Sequence, residues 1–465
     1  MYDFDTNARR IADELLDELK LFEKYYDGAS VRVDVFETDK LRVAVTINGN
    51  INAYETELPE GGPLEIKRVY KRFAKHSLYK TLSAYYGKEL PWGSLTGIRP
   101  TKLAYAYLAR GGRKDGISEY LKNTFGVSDE KARLTQRIIN ARDEIPSDLG
   151  NYANLYVHIP FCDGRCNYCS FPSADINAKG ASELVDAYVN VLCRDISETV
   201  KMIKNGGKRI LSVYFGGGTP SVLSPKQISA LLAATDVSGV EFTYEAGRAD
   251  SVTDEKLDVM KAGGVTRVCI NPQTLNDKTL AVIGRRHTAA QFYEAYERAL
   301  KRGFVLNTDI IAGLSGETFA DFKFTADGIH ALSPQNVTVH TLSRKRASLL
   351  ALSDTDCEDI SAMMDYAYEK FSDYEPYYLY RQKYMTGNLE NTGFCKKGFV
   401  CINNVTVMEE LVSVYACGAG SISKRADGVI SRYAMPKDVK LYIDQADERI
   451  AAKADFFDGR KYVFC

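Results

Sequence analysis

Three cysteines in the stretch Leu155-Tyr-Val-His-Ile-Pro-Phe-Cys162-Asp-Gly-Arg-Cys166-Asn-Tyr-Cys169-Ser-Phe171 stand in a C-x3-C-x2-C spacing. Three thiolates on one short loop can hold three corners of a [4Fe-4S] cube, leaving the fourth iron without a protein ligand. An iron with open positions can chelate a small molecule through an amine and a carboxylate, and S-adenosylmethionine (SAM) presents that pair. One electron passed through such a contact breaks a carbon–sulfur bond and leaves a 5'-deoxyadenosyl radical. The spacing therefore reads as radical chemistry.

Two blander readings compete. A structural zinc site takes four Cys or His ligands, and this loop offers three cysteines with no fourth at a matching interval. His158, four residues before Cys162 on an apparent strand, should point away from the loop. Disulfides suit small secreted domains rather than a long chain without a signal peptide. Seven further cysteines, Cys193, Cys269, Cys357, Cys395, Cys401, Cys417 and Cys465, show no metal-type pairing. Cys193 and Cys269 fall in apolar helix and strand patterns and read as core. Cys395 and Cys401, six apart, are weaker candidates for redox or a second metal.

The elements that must position this loop follow from periodicity. A chain of 465 residues, 45% of them apolar, exceeds one core and implies two or three domains. A net charge of -1 gives no electrostatic case for nucleic acid or an anionic membrane as partner. Met1 to Arg10 has no apolar signal region and no apolar run reaches bilayer length, so a soluble, cytoplasmic protein is expected. No internal repeat or low-complexity tract interrupts the chain.

Residues 1–150 read as an N-terminal α+β domain. A helix over Thr6–Tyr25 precedes a three-stranded meander, Ser30–Glu37, Leu41–Ile47 and Ile51–Glu57, with hairpin chemistry at Asn48-Gly49-Asn50. Helices follow near Leu64–Tyr86, Pro100–Ala109, Gly116–Thr124 and Ser128–Glu144, the last with Ser128 as N-cap. Over 151–345 the pattern becomes strand–helix alternation, with strands at Leu155–Ile159, Ile210–Phe215, Glu241–Glu245, Arg267–Ile270, Val305–Ile311 and Asn336–His340. Helices between them open with clear caps, Pro at N1 in Ser224-Pro-Lys-Gln227 and a capping box in Thr288-Ala-Ala-Gln291. Six βα units predict a parallel sheet with right-handed crossovers, an open (β/α)6 partial barrel in the α/β class. Residues 346–465 read as a C-terminal α+β lobe completing the substrate site, with helices near Asp356–Ser372 and Lys437–Lys453.

The cysteine loop follows the first barrel strand and so belongs at the C-terminal rim, where such barrels place chemistry. The second strand ends in Phe215-Gly216-Gly217-Gly218-Thr219-Pro220, either a tight βα turn or a stretch whose bare backbone approaches a ligand ammonium. Glu245 ends the third strand, either solvated or accepting from two ribose hydroxyls. Gln273, after the fourth, could bond ribose or adenine. Arg285 could pair bidentately with a carboxylate, and Arg286 and His287 have equal claims by position. Asp309, inside an apolar strand, is costly to bury unpaired. A cationic ligand or Arg285 would relieve that cost.

Together, Tyr156-x-His-Ile-Pro-Phe-Cys162, Gly216-Gly-Gly-Thr-Pro220, Gln273, Gly284-Arg-x-His287 and Asp309-x-Ile-x-Gly313 resemble the oxygen-independent coproporphyrinogen III oxidase family of radical SAM enzymes. The resemblance is closest to its HemZ-type coproporphyrinogen dehydrogenase branch. It rests there on Trp92-Gly-Ser-Leu-Thr-Gly-Ile-Arg-Pro-Thr-Lys102, Cys169-Ser-Phe-Pro172, Ile270-Asn-Pro-Gln273, Lys345-Arg-Ala-Ser348, Tyr377-Tyr-Leu-Tyr-Arg-Gln-Lys383 with Gly387-Asn-Leu-Glu-Asn391, and Gly418-Ala-Gly420. It spans essentially the whole chain.

The resemblance implies that Cys162, Cys166 and Cys169 ligate the cluster and that Tyr156, Gly217 and Glu245 contact its SAM. In the family a second SAM can sit nearby, at positions matching Tyr168, Gly218, Thr219, Gln273, Arg285, Asp309 and, through its backbone, Ser343. The implied reaction turns two propionates of coproporphyrinogen III into vinyl groups, giving protoporphyrinogen IX for haem biosynthesis, with an electron donor and acceptor outside the chain. A four-propionate tetrapyrrole needs cations and flat contacts. Arg344, Lys345, Arg346 and the Tyr377–Lys383 segment are candidates, against a solvated loop and a domain-packing role. One departure stands out. Phe171 occupies the place of a further cysteine of the well-characterised oxidases, and that loss also occurs in relatives that bind haem as chaperones. A cluster-bearing haem chaperone is therefore the alternative to the enzyme.

Overall fold

The computed structural model describes residues 2–96, 99–146, 148–171, 173–343, 357–381 and 386–459. Contacts divide the chain into two compact units, Met1–Ile139 with Arg381–Leu389, and Asn140–Tyr380 with Glu390–Cys465.

In the first unit a four-stranded sheet runs in the order β1 (Asp3–Thr6), β2 (Ser30–Glu37), β3 (Lys40–Ile47) and β4 (Asn50–Glu57). Val31, Val33 and Val35 alternate with exposed neighbours, as do Leu41, Val43, Val45 and Ile47. This apolar face is buried with Leu15, Leu19, Phe22, Ala74, Leu78 and Leu82 in one core. Asn48 and Gly49 both adopt positive φ, the hairpin geometry their types favour. The expected start at Thr6 of one helix is corrected. Asp3–Thr6 is a strand parallel to β2, and the helical segment comprises Arg9–Ile11, Ala12–Leu19 and Lys20–Tyr25, the outer two being 3-10 turns. Asn7 closes the strand by exchanging two hydrogen bonds with the Val35 backbone, at 3.0 and 2.8 Å. Ser128 accepts from Lys131 N at 3.3 Å, as an N-cap should.

The second unit is built on one eleven-stranded sheet. Its strands are β5 (Tyr152–Ile159), β8 (Arg209–Gly217), β9 (Glu241–Glu245), β10 (Arg267–Cys269), β11 (Val305–Ala312), β12 (Asn336–Thr341), β13 (Glu375–Tyr380), β14 (Asn391–Cys395), β15 (Ser413–Cys417), β16 (Ile422–Arg425) and β17 (Ser431–Ala434). Between β5 and β8 a short parallel pair, β6 (Phe161–Cys162) and β7 (Ala174–Asp175), brackets the cysteine loop. The order is β13-β14-β12-β11-β10-β9-β8-β5-β15-β16-β17. The six expected barrel strands lie side by side and parallel. Among the described residues the two ends of this series do not pair, so the barrel is open.

Helices Ala181–Asn205, Pro225–Thr235, Asp254–Ala262, Ala289–Lys301 and Phe319–Leu332 make the crossovers. Ser224, Thr288 and Thr318 each form a complete capping box. A short helix, Asp277–Val282, was not expected. The expected final helix is two, Val439–Asp444 and Ala446–Phe457, broken at Gln445.

The segment after residue 345 extends the barrel sheet at both edges. β14 and β13 add antiparallel beyond β12, and β15 adds parallel beside β5, followed by β16 and β17. At the N-terminal ends of the strands Glu241 accepts from Ile402 N and Asn403 N, both at 3.0 Å, and pairs with Arg267 at 3.1 Å. A carboxylate facing the exposed N–H groups of a helix start stabilises it. No helix among the described residues is long and apolar enough to cross a membrane.

Candidate active site

Parallel strands present their C-terminal ends at one rim, and the chemistry gathers there. Phe161 O receives Thr219 N at 2.8 Å, and Ile159 O receives Gly218 N at 2.8 Å. The end of β8 is thus laced to the cysteine loop. From the far side, Asn167 donates to Val282 O at 2.8 Å through its side chain and to Ile283 O at 3.0 Å through its backbone. Arg248, 2% exposed, donates to Asp163 O and pairs with Asp250 at 2.8 Å. The loop is held by its backbone, leaving its thiols unspent.

Cys162, Cys166 and Cys169 are all half-buried and unbridged. Burial pushes the Cys169 thiol up and the neighbouring Cys166 and Cys162 add to it, against the Phe171 backbone and Arg285. The three sulfurs therefore share one environment. Among the described residues no three His, Cys, Asp or Glu side chains gather closely enough to hold a single ion. A [4Fe-4S] cube takes each thiolate at a different iron, so its cysteines need not converge on a single point. Thr219 Oγ1 lies 3.5 Å from Cys162 Sγ, a hydrogen-bond donor beside a candidate ligand. His158 turns to Tyr156, whose hydroxyl is 3.2 Å from its Nδ1, and burial lowers its pKa to about 4.

The glycine triplet is required sterically. A Cβ on Gly218 would sit 2.5 Å from Phe161 O and 3.0 Å from Cys162 Sγ, and one on Gly216 would sit 3.1 Å from Glu245 Oε2. Gly217 has φ +114, a conformation side chains rarely adopt. Gly218→Ala is expected to cost roughly 1–3 kcal/mol by overpacking and to lower the iron retained after reconstitution. Gly247→Ala, with nothing within 4 Å of the added carbon, should change neither. Denaturant midpoints and iron content check both.

Glu245 ends β9 facing the triplet and accepts from the Tyr214 hydroxyl. Burial raises its pKa to about 7, opposed by Tyr214 and the Gly217 N–H and reinforced by Asp309. Tyr156 stacks near Tyr214, centroids 6.1 Å apart, and burial raises its pKa. Gln273 is a non-glycine residue at φ +69 whose Oε1 is buried without a hydrogen-bond partner among the described residues. A strained backbone and an unsatisfied buried acceptor make Gln273 a candidate ligand contact.

The three consecutive candidates after Gly284 separate. Arg285 is buried and donates to Gly247 O at 2.6 Å, Asn271 O at 2.9 Å and the Tyr168 hydroxyl at 2.8 Å, with Nε unsatisfied among the described residues. Arg286 points outward to Asp163 at 2.7 Å. His287 is buried with neither ring nitrogen bonded among the described residues, and burial with Arg285 lowers its pKa to about 4. Tyr168 packs against Leu280, Ile283, Ile311, Leu314 and Leu342, and burial raises its pKa. Ser343 Oγ is also buried and unbonded among the described residues.

Asp309 is not relieved by Arg285. Its Oδ2 lies 3.4 Å from His340 Nε2, and Asn307 Nδ2 donates to its Oδ1 at 2.9 Å. Burial opposes its charge, yet His340, Asn307 and Thr338 outweigh that and lower its pKa. Cys269 is buried as expected, whereas Cys193 is only half-buried. Cys395 and Cys401 are buried free thiols, each pushed up to about 12 by burial.

Arg344, Lys345 and Arg346, with Gln382 and Lys383, lie outside the described residues. Tyr377 and Tyr378 are buried in the core, bonded to Asn404 and Thr338, and Tyr380 turns to the rim. Sequence reasoning missed Tyr214, Arg248 and His340, and named Tyr380 only within the Tyr377–Lys383 segment. His340 was open to the logic that singled out Glu245, being a polar residue near the end of a barrel strand.

Residues 156–329, from β5 through the fifth crossover helix, match the family described as the Radical SAM superfamily. The oxygen-independent coproporphyrinogen-III oxidase-like protein HemZ of Bacillus subtilis (strain 168) is 36% identical over 424 residues, covering 86% of this chain and 84% of that protein. The heme chaperone HemW of Lactococcus lactis subsp. lactis (strain IL1403) is 32% identical over 284 residues, 58% of this chain and 68% of its own. Among solved structures, coproporphyrinogen III oxidase (HemN) from Escherichia coli, a radical SAM enzyme, aligns with a TM-score of 0.51 and 20% identity over 69% of this chain and 73% of that one. That last likeness is one of fold.

Proposed function

Because this chain belongs to the radical SAM superfamily and, within it, to the family of oxygen-independent coproporphyrinogen-III oxidase-like proteins, we propose that it decarboxylates two propionates of coproporphyrinogen III oxidatively to vinyl groups. The cofactors of this superfamily are a [4Fe-4S] cluster and SAM. The observation that carries the reading is the relationship to an oxidase-like protein across 86% of the chain.

In this reading Cys162, Cys166 and Cys169 hold the cluster, whose bound SAM supplies a 5'-deoxyadenosyl radical able to take hydrogen from an unactivated carbon. The bare backbone of Gly216–Gly218 admits the ligand's polar end, and Tyr156 and Tyr214 wall it. Glu245 accepts from ribose hydroxyls, and Gln273 offers its unsatisfied oxygen. Arg285, Tyr168, Thr219, Asp309 and Ser343 line the neighbouring position of a second SAM. Each propionate loses one hydrogen atom from its β-carbon, then CO2, and yields one electron to an external acceptor. No strong base is needed, which fits a rim whose two buried histidines, His158 and His287, are held neutral. The segment after residue 345 completes the tetrapyrrole site.

Anaerobic incubation with SAM, a reductant and coproporphyrinogen is expected to give protoporphyrinogen with 5'-deoxyadenosine in fixed ratio to the vinyl groups formed. A second reading, haem delivery, is favoured by the similarity to proteins named heme chaperones and by the exposed Phe171. Stable haem binding without turnover would replace the first reading with the second.

Glu245→Gln separates binding from folding. A carboxyl whose folded pKa is about 7 against 4.5 keeps its proton in the native state after the unfolded chain has lost it. Stability therefore falls as pH rises through that window. The variant should melt higher than wild type at about pH 8 and equally at about pH 5. It should also bind SAM more weakly at both, as calorimetry of the loaded protein reads.

A further inference from the structure

The rim carries one polar array that the proposed chemistry leaves unexplained. β11, β12 and β13 place Asp309, His340 and Tyr380 in a row. His340 Nε2 is 3.4 Å from Asp309 Oδ2, and His340 Nδ1 is 3.3 Å from the Tyr380 hydroxyl. Asp309 and His340 remain 20% and 25% exposed on their side chains, unlike Ile310 and Val339 beside them at 0%. The row therefore faces the opening and not the core.

We propose that His340 and Tyr380 are positioning residues that hold Asp309 as an ionised acceptor for a cationic, N–H-bearing group of a ligand bound at this rim. The inference rests on reading the rim as a SAM pocket and adds to it two residues and a pH dependence. A neutral imidazole has one donor and one acceptor nitrogen. With the proton on Nε2, His340 donates to Asp309, and its bare Nδ1 accepts from Tyr380. Both hydrogen bonds then run toward the carboxylate, and Asn307 Nδ2 is a second direct donor to it at 2.9 Å. These hydrogen bonds stabilise the carboxylate and leave its remaining lone pairs open to a cation.

The other groups facing Asp309 agree with this. Glu245 from β9 carries a like charge when ionised, Cys269 from β10 and Tyr378 from β13 are neutral thiol and phenol, and Thr338 donates from β12. Among the described residues no lysine or arginine pairs with Asp309. Glu245 and Asp309 are pushed in opposite directions, up to about 7 and down. Near neutral pH the rim thus holds one fixed negative charge at Asp309 and one carboxyl partly protonated. Two carboxyls whose environments separate them in this way have distinct roles.

The test uses cluster-loaded enzyme, SAM as probe, and equilibrium binding between about pH 5.5 and 8.5. His340→Ala removes a hydrogen bond to a charged group and should weaken binding about tenfold or more at the acidic end. The loss should shrink as pH rises and Asp309 ionises unaided. His340→Asn keeps an N–H donor and should recover most of the affinity, and Tyr380→Phe should shift the profile the same way by less. An equal, pH-independent loss in both His340 variants, or none at any pH, overturns the proposal. Nitrogen-15 shifts of the five histidines in metal-free protein provide a readout that does not depend on the cofactor. His340 carrying its proton at Nε2 is expected, and a tautomer protonated at Nδ1 alone overturns the assignment. Neither measurement uses a tetrapyrrole, so failure to turn over coproporphyrinogen leaves the test standing. Wild type that does not bind SAM sinks the pocket reading separately.

Discussion

Cys166→Ser is expected to leave a folded protein without its cluster. The variant should lose the visible iron–sulfur absorbance and the iron, and reductive SAM cleavage should fall to background. Changing only an outer-sphere partner of a metal ligand costs about 10–100-fold, and removing one of three ligands leaves two thiolates that cannot retain the cube. Serine keeps the backbone geometry, in which Cys166 O accepts from Cys169 N at 3.1 Å, and fills a half-buried site with a nearly isosteric group. Its melting temperature without metal should therefore match that of wild-type apoprotein. Cys193→Ser is the control, a half-buried thiol on the helix Ala181–Asn205 that should retain iron and cleavage. Full turnover by Cys166→Ser would refute the ligand assignment.

The largest effect on stability is expected from Lys453→Met. Lys453 and Asp195 form an ion pair at 2.5 Å with both side chains fully buried. Asp195 also accepts from Tyr442 at 2.8 Å and from Gly418 N at 3.0 Å, and Lys453 donates to Ala416 O at 3.0 Å. Breaking such a pair by removing one partner leaves an uncompensated buried charge and costs about 3–5 kcal/mol. The double variant Asp195→Asn with Lys453→Met removes both charges and should recover much of that. Urea midpoints at constant slope measure both. The network reaches the rim through Gly418, where an added Cβ would fall 2.3 Å from His158 O, and through Tyr188, which donates to His158 O at 2.7 Å. The single variant should therefore also retain iron less well, although neither residue touches the cysteine loop.

What could be read from the sequence was what is local. The cysteine spacing, the glycine triplet and the carboxylate ending β9 are short motifs whose chemistry does not depend on distant partners. The six parallel strands were legible because short apolar runs alternate with helical periods, and the Thr288 box formed as its residue types require. What depended on register was hidden. Nothing local says that Asp309 meets His340; that follows from β11 and β12 pairing with Ile311 opposite His340. Arg285, Arg286 and His287 were indistinguishable by position until the chain after Asp277–Val282 turned the first and third inward. β15 lies beside β5 although about 260 residues separate them, a crossover beyond what pattern reading resolves. The tyrosines of β13 looked alike in sequence, yet Tyr378 and Tyr380, stacked on one face, meet Thr338 and His340 only once the strand is placed at the sheet edge.

Radical chemistry at this rim requires one iron left to a small ligand, and electron paramagnetic resonance of the anaerobically reconstituted, reduced protein tests that directly. A [4Fe-4S] signal whose shape changes on adding SAM, with no such change in Glu245→Gln at the same SAM concentration, is the expected result. A cluster signal indifferent to SAM, or a loop that binds only zinc and gives no signal, would contradict it.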